Sequence, residues 1–241
     1  MSVTATRVPM LSDNYAWLLR DSATGATAIV DPAEAAPGIV AIEAAGGRLD
    51  LILLTHHHGD HIDGAAEIAA KYGAKIVGAR ADAHRLPKLD IALAEGEHVG
   101  LGESEAVVID TPGHTRGHIA YFFANGDILC SGDTLFSLGC GRLFEGDAAD
   151  MYASMRKLSA LPGDSLVCCG HEYTQSNAKF ALSIDPDNED LKARAAQVDL
   201  LRARGEPTVP SRLDMELKTN PYLRAKSADE LGRIRKAKDH F

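Results

Sequence analysis

The sequence has little of several features that would mark a particular class of protein. Only four of its 241 residues are cysteines, and none forms a Cys-x-x-Cys pair, so we expect reduced thiols, no disulfide framework and no zinc finger. No apolar run approaches the ~20 residues that span a bilayer, and the amino terminus lacks the apolar core of a signal peptide. The sequence therefore predicts a cytoplasmic protein with no membrane partner.

Positive charge is also scarce. Asp and Glu outnumber Lys and Arg by 34 to 25, giving a net charge of −9, which argues against a nucleic-acid partner. There is no Gly-x-Ser-x-Gly elbow, so a serine nucleophile of the α/β-hydrolase kind is unsupported. A hydrophobic content of 45% is ordinary for a globular chain.

What the sequence does contain is a dense histidine cluster. The apolar run 49–54 reads as a strand buried on both faces, and a His-His-His-Gly-Asp-His segment follows it after one Thr. In an extended chain His56, His58 and Asp60 point to one side, and His61, at the turn into a helix, reaches the same volume. Imidazole and carboxylate ligands suit Zn²⁺, and also Fe or Mn. A lone histidine would indicate a solvated loop, whereas this density predicts a metal site.

Three later strands also end in a His or an Asp. Strands near 105–110, 127–132 and 165–169 lead into His114, Asp133 and His171. Because open α/β sheets bind ligands at the carboxyl ends of their strands, we expect these side chains along one edge of two sheets, with helices outside. Asn125-Gly126 predicts a hairpin between strands 119–123 and 127–132.

Periodicity and turn residues predict the remaining elements. Strands are expected at 3–10, 14–20, 26–31 and 74–78, and helices at 36–45, 63–72 and 148–160. Residues 80–104 show no order that can be assigned. Beyond Thr174 the pattern is helical, at 175–183, 188–204, 211–217 and 227–237, which predicts a helical carboxyl-terminal domain.

These motifs resemble those of a known superfamily. The ligand-bearing segments, Thr55-His-His-His-Gly-Asp-His, Gly113-His114-Thr, Ser131-Gly-Asp133-Thr and Gly170-His171, are similar to the metal-ligand series of the metallo-β-lactamase superfamily. Other segments narrow the resemblance to its hydroxyacylglutathione hydrolase (glyoxalase II) family. They are Asp13-Asn-Tyr, Gly139-Cys-Gly-Arg-Leu-Phe-Glu-Gly, Cys169-Gly-His-Glu-Tyr-Thr, Thr219-Asn-Pro and Arg233-Ile-Arg-Lys-Ala-Lys-Asp-His-Phe.

The resemblance implies a fold and a division of the chain. The fold is α+β, a four-layer αββα metallo-β-lactamase sandwich with a C-terminal α-helical domain. Residues 1–170 would form the catalytic domain and 171–241 the glutathione-binding domain. The protein is expected to be a monomer.

The resemblance also implies two divalent metal ions, with zinc expected and iron or manganese as alternatives. His56, His58 and His114 would hold the first ion, and Asp60, His61 and His171 the second. Asp133 would bridge the two, so that Asp60 and Asp133 hold the metals that share a nucleophilic hydroxide, with Tyr173 assisting. All seven ligand positions are present in the sequence.

The implied reaction is hydrolysis of S-D-lactoylglutathione to glutathione and D-lactate, the second step of methylglyoxal detoxification. A metal-bound water can have a pKa near 7, and a thiolate, with a thiol pKa of ~8.5, leaves without a general acid. Arg235 and Lys238 are three residues apart on one helix face and could clamp a carboxylate. By resemblance they bind the glycine carboxylate of glutathione, with Arg142, Phe144 and Tyr173 nearby.

Several alternatives stay open from the sequence. A persulfide dioxygenase-like enzyme with one iron is disfavoured by the full ligand set, and a non-enzymatic metal-binding module by the converging donors. For the basic cluster near the carboxyl terminus, a solvated helix face that complements the helix dipole is an equal alternative. His118 could support the ligands from behind. The remaining histidines, His57, His84, His98 and His240, are expected to be surface or packing residues.

Overall fold

The computed structural model describes residues 2–241, which fold into two compact units. The first unit is the chain up to Asp110 together with Gly117–Gly132, and the second is Thr111–Arg116 together with Asp133–Phe241. The short segment Thr111–Arg116 therefore belongs to the second unit although the first continues after it. The domain boundary expected between residues 170 and 171 stays a prediction.

A six-stranded mixed sheet occupies the amino-terminal half of the first unit. In spatial order its strands are β1 (Val3–Met10), β2 (Asn14–Asp21), β3 (Thr27–Val30), β4 (Leu51–Leu53), β5 (Lys75–Ala79) and β6 (Ile91–Leu93). The first three strands are antiparallel, and β3 to β6 are parallel. Every residue of β3 and β4 is buried, as expected for parallel strands covered on both faces.

Three helices accompany this sheet: α1 (Ala35–Ala44), α2 (Gly59–Ile62) and α3 (Ala65–Tyr72). Their apolar residues join those of the sheet in one buried cluster that includes Ile29, Ile42, Ile52 and Ile68. The helix predicted at 63–72 begins two residues later and is preceded by the single turn α2. At Gly64, between them, a Cβ would lie 2.5 Å from the carbonyl carbon of Glu34, so only glycine fits there.

The rest of the first unit is an antiparallel array of β7 (His98–Leu101), β8 (Ser104–Asp110), β9 (Ile119–Phe123) and β10 (Ile128–Gly132). They pair in the order β10-β9-β8-β7. The predicted hairpin is confirmed, since Ile128 pairs with Phe123 across a connection that includes Asn125 and Gly126. The unassigned region 80–104 contributes β6 and β7, whose three and four residues are too few to show a period.

The second unit is mostly helical. Its elements are β11 (Leu135–Phe136), β12 (Gly139–Cys140), α4 (Ala148–Ser159), β13 (Leu166–Cys169), α5 (Thr174–Ile184), α6 (Glu189–Ala203), β14 (Ser211–Arg212), α7 (Leu213–Thr219), α8 (Pro221–Arg224) and α9 (Ala228–Asp239). Asp147, Asn188 and Ser227 cap α4, α6 and α9 through their side chains, which accept otherwise unpaired helix N–H groups. The predicted helix at 211–217 is wrong at its start, because residues 211 and 212 pair with β13 as β14.

The cysteines are buried and form no disulfide, as predicted. Burial raises the pKa of the Cys140 and Cys169 thiols to about 12, so neither ionises near neutral pH. Within residues 2–241 no helix is long and apolar enough to cross a membrane.

Candidate metal and substrate sites

The histidine cluster follows the buried strand β4 in the first unit. The His56 imidazole is fully buried, and its Nε2 lies 3.1 Å from Nδ1 of His58. Two nitrogens at this distance cannot both present lone pairs to one another without a proton or a cation between them. Ligands on a tetrahedral zinc with bonds of roughly 2.0–2.1 Å lie roughly 3.3 Å apart, so the pair has the spacing of two donors to one metal.

Asp31, at the end of β3, orients two of these imidazoles. Its carboxylate accepts hydrogen bonds from the Thr55 N–H at 2.8 Å and the Thr55 hydroxyl at 2.6 Å, and it lies 3.1 Å from Nδ1 of His61. An ionised carboxylate can only accept, so His61 carries its proton on Nδ1 and leaves the Nε2 lone pair for a metal. The Thr55 hydroxyl, donating to Asp31, accepts from Nδ1 of His56 at 3.0 Å, which leaves Nε2 of His56 in the same state.

Asp60 lies on the one-turn helix α2 and is held by an amide. The Asn14 side chain donates to its carboxylate at 3.0 Å and to its backbone carbonyl at 2.9 Å. Asp60 Oδ2 is 3.8 Å from Nε2 of His61. The structure thus brings Asp60 and His61 together on one side of the loop.

Two further histidines of the first unit have defined partners. His57 is partly buried, consistent with a packing role: its Nδ1 lies 2.9 Å from the buried carboxylate of Asp82, which also accepts from Arg85. His118 is buried and stacks on His56, with ring centroids 4.9 Å apart and an interplanar angle of 26°. His84, His98 and His240 are exposed, in agreement with the sequence.

The second unit carries the other three predicted ligands, and it brings them together. Oδ2 of Asp133 lies 3.5 Å from Nε2 of His114 and 3.3 Å from Nε2 of His171. The Nδ1 of His114 lies 2.8 Å from the Arg142 carbonyl, which can only accept, so the proton is on Nδ1 and the Nε2 lone pair faces Asp133. One carboxylate oxygen at ligand-to-ligand distance from two imidazoles suits a carboxylate that bridges two cations.

A glycine at position 141 allows the chain after β12 to pass close to both Asp133 and His114. At Gly141, which follows β12, an added Cβ would lie 2.0 Å from the Asp133 carbonyl oxygen and 3.0 Å from Nδ1 of His114. Any other residue would push the chain away from both. The Gly-Cys-Gly segment noted in the sequence therefore has a steric reason at its second glycine.

Aromatic rings surround His171. Tyr173 stacks on its imidazole, with centroids 4.6 Å apart and planes 6° from parallel, and Phe136 presents its edge to both rings. Tyr173 is 38% exposed although its ring is stacked on His171. Phe144 packs against His114 with centroids 5.3 Å apart and is 62% exposed.

The predicted substrate cations form a cluster of Arg142, Arg235 and Lys238, in which the two arginines lie close to the Asp239 carboxylate. Arg235 is buried; it donates to the Cys140 carbonyl at 2.9 Å and to the Asp239 carboxylate at 2.9 Å. Lys238 donates to Ser176. Burial, followed by repulsion from Arg235 and Arg142, lowers the pKa of Lys238. The cluster carries three cations and one carboxylate, so it favours an additional anion.

Sequence reasoning missed Asp31, Asn14 and Asp239. Asn14 stands in the Asp13-Asn-Tyr segment, and Asp31 precedes Pro32 at a strand end, the same signal that identified His114 and Asp133. Asp239 stands four residues after Arg235, the spacing of an ion pair on one helix face. These signals were in the sequence, but each is common outside functional sites.

Two family models match the chain. The metallo-beta-lactamase superfamily model matches residues 11–171, and the model of the hydroxyacylglutathione hydrolase C-terminus matches residues 172–241. Among curated relatives, the hydroxyacylglutathione hydrolase of Acidiphilium cryptum (strain JF-5) is 59% identical over 99% of this chain and 97% of that protein.

Solved structures are similar over most of the chain. The crystal structure of ETHE1 from Myxococcus xanthus is 24% identical, with a TM-score of 0.72 over 98% of this chain and 90% of that one, a likeness that concerns the fold alone. The structure of TTHA1623 in a di-iron-bound form is 26% identical, with a TM-score of 0.58 over 70% of this chain and 91% of that one.

Proposed function

The chain belongs to the hydroxyacylglutathione hydrolases of the metallo-β-lactamase superfamily, and we propose from that premise that it hydrolyses S-(2-hydroxyacyl)glutathione thioesters. The αββα fold with a helical carboxyl-terminal region, expected from the sequence, is confirmed by the same comparisons. The preferred substrate is S-D-lactoylglutathione, which yields glutathione and D-lactate in the second step of methylglyoxal detoxification.

One observation supports the proposal more than any other. Asp133 Oδ2 lies 3.5 Å and 3.3 Å from the Nε2 atoms of His114 and His171. One oxygen of a buried carboxylate at this distance from two imidazole nitrogens is the arrangement that divalent cations between the three groups would stabilise. The same logic applies in the first unit, where Nε2 of His56 faces His58.

The residues fit two divalent metal ions. We propose that His56, His58 and His114 hold one ion, that Asp60, His61 and His171 hold the other, and that Asp133 bridges them. Nitrogen and carboxylate donors with Nδ1 protons held by Asp31 and the Arg142 carbonyl match the ligand chemistry of zinc, and also of iron or manganese. When bound, such ions supply a hydroxide nucleophile near neutral pH and stabilise the oxyanion formed from the thioester carbonyl.

The protein's own groups set the histidine tautomers and position the substrate. Asp31 and the Arg142 carbonyl keep His61 and His114 in the tautomer that leaves Nε2 unprotonated, so no proton competes for those nitrogens. We propose that Tyr173, which is partly exposed and stacked on His171, hydrogen-bonds the substrate near the departing sulfur. The thiolate needs no general acid, because its conjugate acid has a pKa of ~8.5.

Substrate binding is assigned to the cation cluster and the exposed aromatic residue beside it. The glycine carboxylate of glutathione carries one negative charge that Arg142, Lys238 and Arg235 can bind, and Phe144 offers an exposed apolar face. Direct contact of Arg235 with the substrate stays a prediction, since its guanidinium also donates to Cys140 and Asp239.

Further properties are part of the proposal. Residues 1–170 are proposed as the catalytic domain and 171–241 as the glutathione-binding domain. Zinc is the proposed metal, the protein is proposed to be a cytoplasmic monomer, and no nucleic acid or membrane partner is expected because the net charge is −9.

The proposal is tested on purified protein by elemental analysis together with three assays. We expect about two metal ions per chain and hydrolysis of S-D-lactoylglutathione, followed at the thioester absorbance. We expect no hydrolysis of a β-lactam and no oxygen uptake with glutathione persulfide. A fully metallated sample that cleaves no thioester would refute the proposed function, and oxygen uptake would favour the dioxygenase alternative.

A further inference from the structure

The turn that links the two short strands of the second unit is held by a buried acid that has no part in the mechanism above. Glu216, on α7, is fully buried, and its Oε2 accepts from the Leu138 N–H at 2.7 Å and from the Asn220 side chain at 3.2 Å. Asn220, also fully buried, donates to the carbonyls of Phe136 and Gly139 at 3.1 Å and 3.0 Å. Both side chains therefore bind the β11–β12 hairpin.

This hairpin has a conformation that needs outside support. Leu138, at its turn, has a φ of +58°, in the left-handed region that a leucine rarely adopts. Such residues persist when surrounding contacts over-determine them. Glu216 binds the N–H of this residue, and Asn220 binds the carbonyls on either side of the turn, so the two together supply that support.

The hairpin connects directly to the proposed metal ligands. Asp133 stands two residues before β11, and the Phe136 ring contacts both His171 and Tyr173. After β12 the chain reaches Arg142, whose carbonyl binds Nδ1 of His114. A shift of the hairpin would therefore disturb three proposed ligands at once: Asp133 and His114 through the backbone, and His171 through the Phe136 ring.

We propose that Glu216 and Asn220 are positioning residues that hold the β11–β12 hairpin so that Asp133, His114 and His171 keep the geometry needed to bind metal. The inference rests on the proposed function for its kinetic consequence, but its effect on metal binding is independent of which substrate is used. Both residues act through the hairpin, because their hydrogen bonds go to the backbone of Phe136, Leu138 and Gly139.

Two substitutions at Glu216 distinguish the shape of its side chain from its hydrogen bonds. Burial raises the pKa of this carboxyl, while hydrogen bonds from Leu138, Ser211, Ser137 and Asn220 act in the opposite direction. Glutamine has nearly the same shape as glutamic acid and keeps one carbonyl oxygen for the Leu138 N–H. Glu216→Gln should therefore preserve the hairpin, whereas Glu216→Ala removes the acceptor.

Asn220→Ser separates the hairpin contacts from a second role of Asn220. Its Oδ1 also caps α8 by accepting from the Tyr222 N–H at 3.0 Å. Serine is a good helix cap, so this variant keeps an acceptor for the helix and removes the amide that binds Phe136 and Gly139. Val198→Ala serves as the control, because it loosens a fully buried residue of α6 and removes no hydrogen bond to the hairpin.

The test measures zinc affinity of the EDTA-treated full chain by competition with a chromophoric chelator, alongside melting temperature and the KM and kcat for S-D-lactoylglutathione. For Glu216→Ala and Asn220→Ser we expect zinc affinity to fall about 10- to 100-fold, the usual effect of removing groups that orient metal ligands. We expect kcat to fall with it and KM to change little. Glu216→Gln should stay within about twofold of wild type, a tolerance set by preserved hydrogen bonding.

Each of these measurements either supports or refutes the positioning role of Glu216 and Asn220. If the two variants lower the melting temperature as Val198→Ala does but bind zinc and turn over like wild type, the positioning role is refuted. If Glu216→Ala does not fold, Asn220→Ser and Glu216→Gln still give the comparison. Failure of wild-type protein to cleave the thioester would refute the proposed function, whereas the zinc affinities would still test the role of the hairpin.

Discussion

Asp239 binds Arg235 one helical turn earlier on α9, with 2.9 Å between Oδ1 and Nη2. The same Oδ1 lies 3.8 Å from Nε of Arg142, whose side chain is 66% exposed. A carboxylate of the protein itself thus occupies the cation cluster that we assign to a carboxylate of the substrate. The two carboxylates would compete for the same guanidinium groups.

Asp239→Asn is therefore expected to lower KM for S-D-lactoylglutathione by about two- to fivefold with kcat unchanged, the scale of one exposed ion pair. Asparagine keeps an oxygen that accepts from Arg235 while the competing charge is lost. The measurement is KM at low and high salt, because the difference should shrink when charges are screened. Asp229→Asn, at the opposite end of the same helix, is the matched control. A higher KM in Asp239→Asn would mean that the carboxylate serves mainly to orient Arg235.

Asp133→Ala is expected to remove bound metal and to reduce kcat by at least about 10²–10³-fold, the cost of losing one electrostatic stabiliser in an active site. The physical reason is that Asp133 is the carboxylate placed between His114 and His171. Metal per chain by elemental analysis and turnover of the thioester are measured together. Asp187→Ala, which removes an exposed carboxylate of the same unit, should match wild type. Near-normal metal content in Asp133→Ala would contradict a bridging role.

Acid stability should depend on Asp21, at the end of β2. The hydroxyls of Ser104 and Thr24 donate to its carboxylate and lower its pKa from 3.8 to about 2. A carboxyl whose pKa is lower in the folded state stabilises the fold above its unfolded pKa, and this contribution is lost as pH falls from about 4 toward 2.

We expect Asp21→Asn to have a lower urea midpoint than wild type at pH 7 and a shallower decline between pH 4 and pH 2. The two midpoints should approach one another as the pH falls, since the wild-type carboxyl then becomes neutral as well. Midpoints of urea unfolding at several pH values test this, with Asp187→Asn as the control. A constant difference across the range would show that the ionised state of Asp21 does not contribute.

The proposed metal ligands that could be predicted from the sequence come directly after a buried strand. The strand β4 is a continuous apolar run, so its end and the His56, His58, Asp60 and His61 series were visible together. Asp133 and His171 follow buried strands in the same way. Such local signals need no knowledge of which strands pair.

The rest depended on contacts distant in sequence. Asp31 orients His61 thirty residues later because β3 and β4 are adjacent and parallel, which no local pattern reveals. The strands β11 and β12 have two residues each, too short for any period, and Glu216 binds their turn from 78 residues away. The partner of His57, Asp82, lies in the region where no elements could be assigned, so this contact could not be expected from the sequence.

Asp31→Asn tests whether that distant carboxylate sets the chemistry of the ligands. Asparagine is nearly isosteric and tolerates the φ of +50° observed here, so the fold should change little. In the asparagine side chain, an NH₂ group that donates hydrogen bonds replaces one of the two carboxylate oxygens of Asp31. If its oxygen faces the Thr55 N–H, its NH₂ faces Nδ1 of His61, which must then accept and carry its proton on Nε2. A protonated Nε2 cannot bind metal.

We therefore expect Asp31→Asn to lower zinc affinity by about 10- to 100-fold while the melting temperature of the metal-free protein stays close to wild type. Asp50→Asn is the matched control, because Asp50 also binds backbone at the start of a strand but has an arginine, Arg48, as its side-chain partner instead of a histidine. The tautomer of His61 is read from ¹⁵N chemical shifts of the metal-free protein. If zinc affinity falls but Nδ1 of His61 remains protonated, the carboxylate acts through its charge and not through the tautomer. If neither changes, the ligand geometry does not depend on Asp31.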